Sequence, residues 1–158
     1  MMAFSFRTID VKSDLSTCIE FRKDSFRVSF GDEKGFNPNE YVELLTERIA
    51  RFPWGYVMVE EQGETVGQME IFTREYEGRL VGFVSLYYLI PPIRGQGKGA
   101  QLTHYAERRF REQGVTEYHL RVSPANVRAV RFYEKSGLIK LQEERADHTV
   151  WRMGKILT

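Results

Sequence analysis

The chain has 158 residues, of which 42% are hydrophobic and 28% are charged, and its formal net charge is +1. This length and composition predict a single globular domain over residues 1–158 with one sizeable core. The balanced charge excludes a strong overall field, so neither nucleic acid nor a membrane is predicted as a partner.

The N-terminal part of the chain predicts one strand and two helices. Residues 4–9 alternate between apolar and polar side chains, as a half-buried strand does. A helix is predicted over residues 13–27, with Ser13 or Asp14 as its N-cap. Apolar side chains at helical spacing predict a second helix over residues 39–52, which Pro53 ends.

The middle of the chain predicts three consecutive strands, over residues 54–61, 65–76 and 79–90. Turns at residues 62–63 and 77–78 join these strands. The centre of the third strand is apolar on both faces, which indicates a central strand that is covered on both sides.

The C-terminal part predicts helices that alternate with strands. A helix over residues 99–114 precedes a strand over 115–122, and a short helix follows over 126–136. Strands over residues 138–145 and 149–157 then form a closing hairpin. The complete order, β α α β β β α β α β β, predicts a mixed α/β or α+β fold with helices on both faces of the sheet.

Cysteine and histidine are scarce in this chain. Cys18 is the only cysteine, so no intrachain disulfide can form, and a reduced, cytoplasmic setting is expected. The first residues lack the basic-then-apolar pattern of a secretory signal. One cysteine and three scattered histidines show no ligand spacing, so no metal site is predicted.

The stretch LIPPIRGQGKGAQL, residues 89–102, carries three glycines between a predicted strand and a predicted helix. Glycine adopts a positive φ and lets a ligand approach the backbone amides closely. The start of a helix directs unpaired N–H groups and a partial positive charge at one point, which suits a phosphate. The turn therefore predicts a site for a nucleotide, a dinucleotide or a coenzyme pyrophosphate, with a plain surface turn as the alternative.

Two common phosphate-binding motifs fit this turn poorly. A P-loop needs Ser or Thr after its Gly-Lys pair, but here Gly99 follows Lys98, and proline stands at the position of the earlier glycine. The dinucleotide pattern matches at Gly95, Gly97 and Ala100. Its context is wrong, because residues 91–94 separate the strand from the first glycine and the next strand ends without an acidic residue.

A third pattern fits better, because the stretch resembles the coenzyme A signature of the GNAT superfamily of N-acetyltransferases. That signature, [RQ]-x-x-G-x-[GA], is met by Arg94, Gly97 and Gly99. Residues 126–138, NVRAVRFYEKSGL, are similar to a second family motif, with Leu138 in place of the usual Phe. The tail VWRMGKIL resembles the family's closing strand, so the resemblance covers essentially the whole chain.

The resemblance implies a fold, a cosubstrate and an activity. The fold would be a twisted, mixed and mostly antiparallel sheet of about seven strands with helices on both faces. The cosubstrate would be acetyl-CoA, and the activity would be transfer of its acetyl group to a primary amine by direct attack in a ternary complex. A non-catalytic acyl-CoA-binding sensor or interaction module with the same fold is the alternative.

The resemblance also implies the cofactor contacts. Backbone amides of residues 96–100 would hold the pyrophosphate. The strand before the motif would separate from its neighbour at a bulge, and pantetheine would pair with the freed edge at residues 87–90. The N–H near Leu89 would polarise the thioester carbonyl. The cofactor-binding residues that the resemblance assigns are Leu89, Ile90, Arg94, Gly95, Gln96, Gly97, Lys98, Gly99, Ala100, Asn126 and Tyr133.

Two residues are predicted to be catalytic, and each has a structural alternative. Tyr133 matches the family position that protonates the leaving thiolate, although an aromatic side chain on an amphipathic helix can also be core. Glu70, mid-strand between apolar neighbours, is the leading general base, and an outward-facing strand residue is its alternative. His119 or a chain of water molecules are the other candidates for the base. Asn126 is either a contact of the coenzyme arm or a helix N-cap.

The acceptor is predicted only as a small-molecule or protein amine. In the family, the first two helices, their loop and the later strands build the acceptor site, which here means residues 21–41 and 142–149. Acidic and basic side chains are interleaved in the first of these segments, so its charge does not select one class of amine. Whether the chain forms a homodimer is left open.

Overall fold

The computed structural model describes residues 3–145 and 147–158, and within them seven strands and four α-helices follow one another in the predicted order. The elements are β1 (Ser5–Thr8), α1 (Val11–Phe30), α2 (Pro38–Arg51), β2 (Tyr56–Glu61), β3 (Glu64–Tyr76), β4 (Arg79–Leu89), a 3₁₀ helix (Pro91–Ile93), α3 (Gly99–Glu112), β5 (Glu117–Val122), α4 (Val127–Lys135), β6 (Ile139–Arg145) and β7 (Thr149–Ile156).

The strands form one sheet in the order β1-β2-β3-β4-β5-β7-β6. Every neighbouring pair is antiparallel except β4 and β5, which run parallel. The parallel pair follows from the crossover through α3, since parallel strands need a long connection. The mixed, mostly antiparallel sheet confirms the predicted fold class.

Helices cover both faces of the sheet. Helices α1 and α2 share one core with side chains such as Tyr56 and Phe83, and α3 and α4 share the other with side chains such as Val84 and Leu120. Neighbouring residues of β4 thus enter opposite cores, which confirms the prediction of a central strand. None of the described helices is long and apolar enough to cross a lipid bilayer.

The N-cap of α1 differs from the prediction. The helix starts at Val11, and the carboxylate of Asp10 caps it by accepting hydrogen bonds from the backbone N–H groups of Lys12 and Ser13. Asp14, one of the two predicted caps, instead pairs with Arg7 at 2.7 Å and is buried. The prediction of Ser13 or Asp14 as the cap is therefore wrong. The Asp14 carboxylate binds Arg7 of β1, and the helix begins before Ser13 and Asp14.

The sheet opens between β4 and β5. The two strands pair only from Gly82 to Val84, although β4 continues to Leu89 and β5 to Val122. On the other side of β4, the register with β3 shifts so that Ser85 has no opposite residue. Such a bulge bends the strand that carries it. The structure thus has the bulge and the freed strand edge that the family resemblance implied.

Candidate active site

A cleft of about 690 Å³ fills the gap between β4 and β5. This volume lies within the usual range of ligand pockets, roughly 300–1,000 Å³. One end is formed by the glycine-rich turn and α4, and the other by α1 together with β5 and β7. The residues used in the argument below are Arg22, Phe83, Arg94, Gly95, Gly97, Arg121, Asn126, Arg128 and Tyr133, which all line the cleft.

The start of α3 is distinctive among the four α-helices. Asp10, Asn37 and Asn126 cap α1, α2 and α4 through their side chains, whereas α3 begins at Gly99 without a side-chain cap. The first N–H groups of a helix need acceptors from outside the helix. The uncapped end lies at the cleft wall, so an anion in the cleft could accept from these amides.

The glycines of this turn have different structural roles. Gly95 and Gly97 have φ angles of +73° and +76°, a conformation that residues with a side chain adopt reluctantly. A Cβ atom on Gly97 would meet no atom within 4 Å, so this glycine faces open space in the cleft. A Cβ atom on Gly99 would lie 2.9 Å from the Phe132 ring, so Gly99 is needed for α3 to approach α4.

The two cations predicted at the phosphates are both paired with carboxylates. Arg94 donates to Asp24 and to the carbonyl of Leu89, each at 2.7 Å. Burial favours a higher pKa for Asp24, but the hydrogen bonds from Tyr88 and Arg94 outweigh it and lower the pKa. Lys98 donates to Glu61 at 2.9 Å. Arg94 lines the cleft, but its guanidinium also fastens the turn to α1, and contact of either cation with phosphate stays a prediction.

A third cation, Arg128, was missed by the sequence analysis. Its Nη2 atom lies 3.2 Å from the position of a Cβ on Gly95, and the side chain is exposed at the cleft. Among the residues that the structure describes, no carboxylate pairs with it. Arg128 is also in the first turn of α4, where the helix dipole disfavours a cation. A bound anion would offset that cost. The position of Arg128, two residues after the N-cap Asn126, was the sequence signal that could have identified it.

Tyr133 and Asn126 lie on the same side of the cleft. The Tyr133 ring packs 6.3 Å from the Tyr87 ring, measured between centroids. Burial raises the pKa of Tyr133 to about 12, so its hydroxyl is protonated at neutral pH. Asn126 caps α4 by accepting from the N–H of Ala129 at 3.3 Å and also lines the cleft. Both interpretations of Asn126 are thus compatible with the structure.

The freed edge of β4 points a backbone donor into the opening. The N–H of Ile90 donates to Val66 of β3 at 2.9 Å, and successive residues of a strand alternate in direction. The N–H of Leu89 therefore points away from β3, toward the side on which β5 has separated from β4. An N–H that points into the cleft is available to donate to an oxyanion there, and this role of Leu89 stays a prediction.

Glu70 is buried beside the cleft and does not line it. Its carboxylate is 1% exposed and accepts from Arg22 at 2.5 Å, Tyr41 at 2.6 Å and Gln68 at 2.7 Å. Arg22 does line the cleft and also donates to the hydroxyl of Ser85. Glu70 is thus one side chain removed from the opening, and its role as the base stays a prediction.

His119, the second candidate base, lies outside the cleft. Its ring is fully buried, and its Nε2–H donates to Glu117 at 2.7 Å while Nδ1 accepts from Arg152 at 2.9 Å. Both ring nitrogens are therefore occupied by protein partners. Among the described residues, no three His, Cys, Asp or Glu side chains cluster so as to hold a metal ion.

Comparison with known proteins identifies relatives of this chain. Residues 16–138 match the model of the acetyltransferase (GNAT) family. A segment of 84 residues is 32% identical to the aminoglycoside N(6')-acetyltransferase type 1 of Klebsiella aerogenes. That match covers 51% of this chain and 55% of the relative, so the chain spans about half the length of this curated relative.

Solved structures share the whole fold at low sequence identity. The NatC complex bound to Gag peptide and CoA includes a chain with a TM-score of 0.78 at 13% identity, covering 99% of this chain and 100% of that chain. Spermidine N-acetyltransferase from Vibrio cholerae, in complex with CoA and spermine, has a TM-score of 0.74 at 20% identity, covering 97% and 95%. At these identities, the likeness establishes the fold.

Proposed function

Because the chain belongs to the acetyltransferase (GNAT) family, we propose that it binds acetyl-CoA in the cleft and transfers the acetyl group to an amine. One observation carries this proposal. A single opening between β4 and β5 joins the uncapped start of α3 to Tyr133 and to the inward-pointing N–H of Leu89. The groups that we propose as phosphate cradle, acid and oxyanion donor thus share one cleft.

The cofactor fits the residues that are present. The N–H groups of residues 96–100 and the side chain of Arg128 would hold the pyrophosphate, with Gly97 leaving room for its approach. Asn126 and the edge of β4 would bind the pantetheine arm. When bound, acetyl-CoA supplies a thioester whose carbonyl carbon accepts the amine.

Transfer needs three proton movements: two protons leave the nitrogen and one reaches the sulfur. An alkyl ammonium with a pKa of ~10 must lose a proton before it attacks, which costs ~4 kcal/mol at pH 7 in bulk water. The amine nitrogen would then bond to the carbonyl carbon and lose its second proton to water, and the bond from that carbon to sulfur would break. The N–H of Leu89 would stabilise the charge on the carbonyl oxygen, a contribution of typically ~3 kcal/mol. Tyr133 would donate its proton to the leaving thiolate.

The other candidate function is a non-catalytic acyl-CoA-binding module. One observation favours it: among the residues that the structure describes, no carboxylate or histidine lines the cleft. A proton from the amine would therefore have to pass through water or through the cluster of Arg22 and Glu70. Turnover with any amine rules this candidate out.

Glu70→Gln tests whether that cluster serves catalysis as well as stability. The substitution removes the negative charge that compensates the buried guanidinium of Arg22. We therefore expect the free energy of unfolding to fall by about 3 kcal/mol. If Glu70 is also the base, the folded variant loses most of its rate near neutral pH. Raising the pH restores part of that rate, because free amine then forms without help. Urea unfolding and pH–rate profiles measure the two effects.

Glu47→Gln is the matched control, because Glu47 pairs with Arg51 on the exposed side of α2. We expect its unfolding free energy to change by less than about 1 kcal/mol. A Glu70→Gln enzyme that is destabilised but keeps the wild-type pH profile would make Glu70 structural and leave a water chain as the base.

Arg128→Gln is expected to weaken acetyl-CoA binding by about tenfold, since a charged hydrogen bond to phosphate contributes ~1.5 kcal/mol. Added salt should reduce the difference between the variant and the wild type. Arg131→Gln, one helical turn further along α4, is the control because Arg131 is exposed and does not line the cleft. Calorimetric titration measures both; equal affinities for the two variants would remove Arg128 from the phosphate site.

A further inference from the structure

We propose that the acceptor carries a carboxylate in addition to its amine, and that Arg121 binds this carboxylate where the cleft opens between α1 and β5, with Arg74 adding positive charge from beside the Phe83 ring. This inference rests on the proposed acetyl transfer and adds the chemical class of the acceptor. It follows from the distribution of charge around the cleft, which differs between its two ends.

Arginine is the only kind of charged residue that lines the cleft, within the described part of the chain. Arg94 and Arg128 lie beside the glycine turn, where Arg94 pairs with Asp24 and Arg128 would face the phosphates of the proposed cofactor. Arg22 pairs with Glu70, whose negative charge lies outside the cleft lining. Arg121 is the remaining arginine of the cleft lining. It lies on β5 at the opposite end of the cleft, away from the residues that would hold the cofactor.

Arg121 belongs to a cluster of guanidinium groups around the Phe83 ring. The guanidinium carbons of Arg74, Arg121 and Arg152 lie 5.3, 5.5 and 5.7 Å from the centroid of that ring. Glu144 is the carboxylate that faces them, and it accepts from both Arg121 and Arg152. Three positive charges therefore share one negative charge. Desolvation and then repulsion by Arg121 and Arg152 lower the pKa of Arg74.

Donors of this cluster are available to a ligand. Arg121 is 44% exposed and bonds to Glu144 through Nε, which leaves its two terminal amino groups without a partner among the described residues. Arg74 is exposed beside Phe83, outside the cleft lining, and within the same described residues it pairs with no carboxylate. A guanidinium with free terminal groups binds a carboxylate through charged hydrogen bonds.

The same charges disfavour a polycationic acceptor. An amine with several ammonium groups would meet arginines and, in the described part of the chain, no lining carboxylate, so like charges would repel at short range. The cleft of this chain is therefore poorly suited to acceptors such as the aminoglycoside in the name of its curated relative. The carboxylate could belong to a free amino acid or to an acidic peptide, which present the same group.

The test compares amines that differ in one carboxylate. Acetyl-CoA-dependent thiol release is measured for tyrosine against tyramine, for β-alanine against ethylamine, and for tripeptides with Glu or Gln after the N-terminal residue. We expect kcat/KM to be at least about tenfold higher for the carboxylate member of the preferred pair. The pair that responds identifies a free amino acid or a peptide as the source of the carboxylate.

Variants then assign the preference to the cluster. Arg121→Gln and Arg74→Gln are each expected to reduce the preference by about fivefold or more, mainly through KM. Arg74 has no ion pair to lose, so its variant should keep the wild-type fold. Arg111→Gln is the control, because Arg111 lies on α3, on the opposite face of the sheet, and should leave the preference unchanged.

Two results would overturn the inference while leaving acetyl transfer intact. One is equal or faster turnover of the amines without a carboxylate. The other is a carboxylate preference that neither arginine variant changes. If acetyl-CoA binds and no amine of either kind is acetylated, the proposed transferase function itself fails, and the acceptor inference falls with it.

Discussion

Replacement of Gly97 by valine is expected to abolish the stabilisation that acetyl-CoA gives to the folded protein. At ~100 times its dissociation constant, a ligand that binds only the folded state contributes ~2.7 kcal/mol to the free energy of unfolding. Gly97 faces open space in the cleft, so a valine side chain would occupy the space through which phosphate approaches the amides. Thermal unfolding with and without acetyl-CoA measures the loss.

Gly114→Val separates this effect from backbone strain. Gly114 follows the far end of α3, has a φ of +78°, and would likewise place a Cβ with no atom within 4 Å. Both variants should lower the melting temperature without ligand by similar amounts, because valine is strained at positive φ. Only Gly97→Val should lose the response to acetyl-CoA. A wild-type response in Gly97→Val would show that the cofactor phosphates bind elsewhere.

The second large effect is expected from Tyr133→Phe, which removes a hydroxyl and little else. If Tyr133 protonates the thiolate, turnover should fall about 100-fold or more while acetyl-CoA affinity is kept. Because burial raises its pKa to about 12, the Tyr133 acid should be lost only as the pH rises toward that value. Activity in the neutral range should therefore show no decline caused by its ionisation.

Tyr87→Phe is the matched control. Its ring neighbours that of Tyr133 and lines the same cleft, and its hydroxyl is buried near Thr103 without a hydrogen bond of normal geometry to any described residue. Removing an unsatisfied hydroxyl should leave both stability and turnover nearly unchanged. If Tyr87→Phe loses turnover and Tyr133→Phe keeps it, Tyr87 is the proton donor and Tyr133 is not. If both variants keep the wild-type turnover, water is the proton donor to the thiolate.

Local pattern was sufficient to predict the order and type of the elements. Hydrophobic periodicity and turn residues identified each strand and helix, because these signals lie within a few residues of one another. The cap of α1 was not predictable in the same way. Asp10, Ser13 and Asp14 are all good N-cap residues, and the contact with Arg7 that removes Asp14 from the choice depends on the folded sheet.

The motifs located the cleft but not the partners of its charged side chains. Arg94 pairs with Asp24, 70 residues away, and Lys98 pairs with Glu61, 37 residues away. No spacing in the sequence reports such pairs, since they arise only when distant elements pack together. For the same reason, Arg128 could be recognised as a cleft-lining cation with no carboxylate partner in the described residues only after its neighbours were known.

Release of coenzyme A thiol from acetyl-CoA, measured across a broad set of amines, tests the proposed function most directly. We expect acetyl-CoA to bind the wild type, and thiol release to depend on both the enzyme and one class of amine, with an N-acetylated product seen by mass spectrometry. Tyr133→Phe should bind acetyl-CoA equally well and release thiol far more slowly. Tight binding of acetyl-CoA with no thiol release for any amine would contradict the transferase function and favour the acyl-CoA-binding module.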